Sequence, residues 1–154
     1  MRAEPPVLAA VRRCLLGLLT LGTLAVSAEL WLVEHFGDSN QLIPLVIAGM
    51  GLVSIVAVAV HPSHLTLRTL QFMMLCYAGA SLIGISMHYQ ANVALQHEAD
   101  ASLSGRALFW TVVRSPAPPA LAPGMLFQLA LLGLVYAYRH PALAEETWPI
   151  TTPD

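Results

Sequence analysis

Lysine is absent from this chain, and all seven fixed positive charges are arginine. Charged residues make up only 10% of the 154, against about 25% in an ordinary soluble domain. A water-facing surface over most of the chain is therefore excluded. A nucleic-acid partner is excluded too, because the net charge is -2 and no basic patch with interleaved aromatics occurs. Cysteine is nearly missing. Cys14 and Cys76 both lie in apolar runs. Without a C-x-x-C pair there is neither a disulfide framework nor a zinc or dithiol motif, and both thiols read as small buried hydrophobes. G-x-S-x-G, the P-loop, G-x-G-x-x-G and H-E-x-x-H are also missing. The chain leans away from catalysis.

What is present is apolar: 56% of residues are hydrophobic and the mean hydropathy is +0.66. A helix needs about 20 such residues to cross roughly 30 Å of hydrocarbon. Four runs qualify, over residues 14–35, 42–60, 69–90 and 121–139. Helix is the expected form, since an isolated strand would leave its backbone unpaired in lipid. Pro44 and Pro123 fall in the first turn of the second and fourth runs, where proline is tolerated. Gly49, Gly51, Gly79, Ala80, Gly84, Gly124 and Gly133 are small enough for helix backbones to approach closely. The expected fold is all-α, a single transmembrane four-helix bundle over residues 1–154.

Arginine placement orients it. Arg2, Arg12, Arg13, Arg68 and Arg139 fall on one side, and Arg106 and Arg114 on the other. The positive-inside rule then puts both termini in the cytoplasm, with residues 34–41 and 88–120 outside. Within the longer outer loop, residues 103–114 mix Phe109 and Trp110 with two arginines, which suits a short interfacial helix. A competing reading attaches to the N-terminus. Arg12 and Arg13 precede an apolar run ending Ala25-Val26-Ser27-Ala28, the form of a signal peptide. The run continues to Val33, however, and so reaches spanning length.

The polar residues that carry chemical interest gather at the outer ends of spans one and three. Glu29, Glu34, His35 and Asp38 close the first span, while His88, Asn92, Gln96 and Glu98 continue the third. His88, Asn92 and Gln96 are four apart and share one helix face. A carboxylate as deep as Glu29 is costly unless paired, protonated or wetted. Carboxylates and imidazoles at one interface suit a divalent metal such as Zn²⁺. The candidate ligands are Glu34, His35, Asp38, His88 and Glu98, with Glu29 and Asn92 in support. The plainer alternative is a polar helix end bonded to water and headgroups. Paired histidines in a membrane bundle can also hold a b-type heme for electron transfer, here His35 with His88 or His61 with His140. Their places at helix ends, two of them followed directly by proline, are explained better by capping.

The two halves also echo one another, with His61-Pro62 after the second span and His140-Pro141 after the fourth. Such self-similarity can mark a duplicated hairpin.

The pattern Glu29-Leu30-Trp31-Leu32-Val33-Glu34-His35, then Asp38, Gln41 and Pro44, then Ala122-Pro123-Gly124 and Tyr138-Arg139-His140-Pro141, resembles a group of small bacterial four-helix inner-membrane proteins. The resemblance implies four spans and a bacterial inner membrane. It brings no activity and no catalytic residue. The expected role is a non-enzymatic accessory or structural subunit of a membrane assembly. Its partners would be the bilayer and other subunits or copies of itself. The alternative is an outward-facing divalent-metal or ion-binding protein for uptake, sensing or delivery.

Overall fold

Pro6 opens α1 (Pro6–Leu32) at a position where its missing N–H leaves no bond unmade. The computed structural model describes residues 5–34, 36–115, 119 and 121–144, without the side chain at 40. After α1 come α2 (Ser39–Val60), α3 (His64–Ala99), α4 (Gly105–Val113) and α5 (Gly124–Ala137), then a 3₁₀ turn at Pro141–Leu143. Every regular element among the described residues is helical. Three helices, α1, α2 and α3, are long and apolar enough to cross a membrane.

Local chemistry sets most boundaries. Pro62 follows the end of α2, and Ser63 starts α3 with a capping box. The Ser63 hydroxyl accepts from the Thr66 amide at 3.3 Å, and the Thr66 hydroxyl accepts from the Ser63 amide at 2.9 Å. The turn between α2 and α3 is therefore three residues long and holds the two helices side by side. α3 runs well beyond the expected 69–90. Its 36 residues span about 54 Å at 1.5 Å each, and its second half, largely exposed, carries α4 against it. α2 begins at Ser39 rather than 42, which places Pro44 a turn inside the helix instead of in its first turn. The proline removes the bond that would return to the carbonyl of residue 40.

The first helix also ends before residue 35, the expected close of its run. α1 ends at Leu32, and Glu34 takes the left-handed conformation (φ 55°) while its amide donates to the Trp31 carbonyl at 3.1 Å. α5 is shorter than the run 121–139, because residues 121–123 form turns ahead of Gly124. Its 14 residues give about 21 Å of helix.

α1 packs against α2 and α5, and α3 packs against the same two helices. α1 and α3 are a diagonal pair, with no Cα atoms within 8 Å of each other, and Tyr77 of α3 reaches across to the Thr23 hydroxyl of α1. The buried apolar centre includes Leu19 of α1, Ile55 and Val58 of α2, Leu67, Leu70, Met74 and Tyr77 of α3, and Leu129 and Ala130 of α5. Tyr77 is wholly buried and its hydroxyl donates to the Ala48 carbonyl at 3.1 Å. Gly51 makes room for it, since a Cβ there would fall 2.6 Å from Tyr77 Cε1. Gly133 gives Met74 the same clearance, whereas Gly49 and Gly79 face open space. Gly22, absent from the expected set, is the point where α1 meets Leu129 of α5.

Outside this centre the helices are apolar to their surface. Ile43, Val46, Met50 and Val53 on α2 are each more than half exposed. An apolar exterior of this extent suits lipid.

Candidate functional site

Polar side chains collect at the two ends of the helices. At one end α5 runs out at Ala137, leaving its last carbonyls without helical partners. Arg12 of α1 supplies them. Its Nη1 donates to the Tyr136 carbonyl at 2.6 Å, and its Nη2 donates to the carbonyls of Tyr138 and Arg139 at 3.2 and 3.1 Å. Arg12 as a whole is 7% exposed, so a buried cation sits at the negative end of the α5 dipole. The planar fork of arginine suits this task, because one group reaches three acceptors at once. The sequence marks Arg12 only as a topological charge. No local signal discloses the clasp, since its acceptors lie 124 to 127 residues away.

The other end holds the residues singled out for metal chemistry. Asp38 directly precedes α2, and its carbonyl accepts from the amides of Gln41 and Leu42 at 3.0 and 3.3 Å. That is a helix-start role which also suits a carboxylate. Glu34 is exposed, Glu98 is exposed near the end of α3, and His35 lies outside the described residues. His88 is half-buried and its Nδ1–H donates to the Pro119 carbonyl at 3.0 Å. Asn92 is fully buried, with its amide donating to the His88 carbonyl at 3.1 Å. His88 is therefore tied to the loop that follows α3, while the Asn92 bond stays within the helix. His97 joins the same loop by donating from Nε2 to the Leu103 carbonyl at 3.1 Å. Ser81 ties the start of α5 to α3 through the Pro123 carbonyl at 2.8 Å.

Among the described residues, no three His, Cys, Asp or Glu side chains are grouped to hold a metal ion. Glu34 and Asp38 lie between α1 and α2, whereas His88 and Glu98 lie on α3. The histidines of the other heme pair serve separate turns. The His61 carbonyl accepts from the Thr66 hydroxyl at 2.8 Å, and His140 Nδ1 accepts from the Ala142 amide at 3.3 Å.

Asp100 caps this end of α3. Its carboxylate accepts from the Ser102 hydroxyl at 2.6 Å and from the Ser102 amide at 2.9 Å. Those bonds, the hydroxyl foremost, hold its pKa below the ordinary aspartate value.

Glu29 stands apart from these contacts. It is exposed on α1, one turn before the helix ends, and no partner meets it among the described residues. Its neighbours are apolar and also exposed: Trp31 at 64% and Leu32 at 80%. Trp31 packs against Phe36 with ring centroids 5.2 Å apart. The C-terminal end of α1 thus displays one carboxylate within an aromatic and aliphatic surface.

No family model, no curated protein and no solved structure matches this chain.

Proposed function

We propose that this chain is a multi-pass protein of the bacterial inner membrane that serves as an accessory or structural subunit of a larger assembly. In this reading α1, α2, α3 and α5 form a four-helix bundle with cytoplasmic ends. α5 completes its crossing through its flanking turns, α4 lies at the outer interface, and α1 is retained rather than cleaved. The polar side chains support a structural role, because Arg12, Tyr77, Ser81, His88, His97 and Asp100 are all bonded within the fold.

The observation that carries the proposal is Glu29. Ionisable residues within membrane segments ordinarily face a bundle interior or cavity and are paired. Glu29 faces outward from the described chain without a partner. A neighbouring subunit that brings a cation or hydrogen-bond donor to this face of α1 would satisfy it, and Trp31 and Leu32 would add apolar contact. Gentle detergent extraction followed by native-size measurement tests this. A complex larger than one chain is expected, and Glu29→Leu should weaken it. A clean monomer with no co-purifying subunit would reject the proposal. Metal analysis and a visible spectrum on the same sample test the ion-binding and heme alternatives directly.

A further inference from the structure

Where α1 begins and α5 ends, a crevice of about 300 Å³ opens between them. Val11 and Leu15 of α1 and Val135 of α5 give it apolar walls, and Tyr138, Arg12 and Arg139 complete it. Its two guanidinium groups differ in their commitments. That of Arg12 is buried and bonded to the α5 carbonyls. That of Arg139 is exposed and lies over the Tyr138 ring, 5.5 Å from its centroid. No carboxylate is among the described residues lining the crevice.

The backbone at Arg139 is also unusual. Tyr138 (φ -60°, ψ 121°) and Arg139 (φ 48°) are the central residues of a turn closed by the His140 amide on the Ala137 carbonyl at 3.2 Å. That geometry is a type II turn, whose third position favours glycine or asparagine. An arginine is held there against the backbone preference. Strain of this kind is found where a side chain is needed in a particular place.

We infer that this crevice binds an anionic phospholipid. Its phosphate would meet the Arg139 guanidinium in the field of Arg12, and an acyl chain would lie along Val11, Leu15 and Val135. The inference rests on the membrane-spanning reading above, which sets both arginines at the level of the headgroups and Leu15 toward the hydrocarbon. Basic pockets between helices on the cytoplasmic side suit such headgroups. Arginine matches phosphate by two parallel N–H bonds.

The test uses the full chain in phosphatidylcholine vesicles with and without phosphatidylglycerol, and photoactivatable analogues of each lipid. Cross-links are mapped by mass spectrometry. The phosphatidylglycerol probe is expected to label residues 8–15 and 135–139 in preference to the phosphatidylcholine probe. Arg139→Gln should lower that labelling about fivefold, the contribution of one arginine near an anionic surface. Arg139→Gly should lower it equally while suiting the left-handed turn, so loss of folding is not the cause. Arg68→Gln removes a charge assigned to the same side and should leave the labelling unchanged.

Equal labelling by the two probes would overturn the inference. So would an undiminished signal in both Arg139 variants, an equal loss in Arg68→Gln, or protein–protein cross-links at the crevice in place of lipid. If the exposed faces of α2 and α3 take up lipid label and the crevice does not, the lipid site alone fails. If no helix is labelled, the membrane reading fails with it.

Discussion

Replacing Arg12 removes three hydrogen bonds at once and strips a cation from the end of α5. Charge-assisted bonds and the helix-end charge together suggest a loss of about 3 kcal/mol for Arg12→Met. Arg12→Lys keeps the charge but reaches fewer carbonyls and should fall between the two. Unfolding in denaturing detergent, followed by circular dichroism, measures the difference; equal stability of wild type and Arg12→Met would show that the guanidinium is idle. Gly51 and Gly133 should respond unequally to alanine. The Cβ at Gly51 meets a wholly buried tyrosine ring, and overpacking there costs about 1–3 kcal/mol. The one at Gly133 meets the Met74 thioether, which can shift. Tyr77→Leu should therefore be less harmful on the Gly51→Ala background than alone, a coupling that a double-mutant cycle reads directly.

Asp100 belongs to the same scale but responds to pH. Its folded pKa is depressed by Ser102. Its contribution is therefore present above the unfolded value, about 3.9, and is lost as pH falls through the folded one. Amide exchange at Ser102 should accelerate only in that acid window. Ser102→Ala should return the carboxyl toward its ordinary range, and a titration of Asp100 identical in the two proteins would contradict the assignment.

At the scale of elements, the length of α3 calls for an explanation that hydropathy does not supply. About 54 Å of helix exceeds a hydrocarbon thickness of roughly 30 Å. The excess is met by α4, which packs on α3 with Val112 wholly buried and Phe109 beside Tyr89 at 6.3 Å. Val112→Asp should release α4 without unseating α1, α2 or α5, because it places an uncompensated charge only in that contact. Faster hydrogen exchange confined to residues 105–113 is the expected result. Exchange that rises throughout the chain would show that α4 is integral to the core. α1 raises the matching question of retention. It contributes Leu19 and Val26 to the core and Arg12 to the clasp on α5. Mass spectrometry of the purified chain should then find residues before Glu29, and a mature terminus at Glu29 would remove both contributions.

For the whole molecule, the proposed bundle requires α1 and α3 to run one way and α2 and α5 the other. Reporter fusions after Ser39, Ser63 and Asp154 should read outside, inside and inside, and an outward C-terminus would defeat that topology. The helices themselves were legible beforehand, because a helix satisfies its own backbone and its apolar residues are read from a local window. The scarcity of charge, the three long apolar helices and the short turn at Pro62 all follow from neighbours in sequence. Boundaries were less legible along the polar second half of α3, which an apolar window does not read as part of a span, and in the turns ahead of Gly124. The relative placement of the helices was not legible at all. That α1 lies beside α2 and α5 and diagonally from α3, that His88 bonds to the loop after α3, and that Arg12 meets carbonyls of α5 all depend on which surfaces pack together. Similar apolar surface is available on every side of these helices, so their periodicity does not choose among neighbours. Close approach at Gly22, Gly51 and Gly133, and the need of buried polar groups for partners, make that choice.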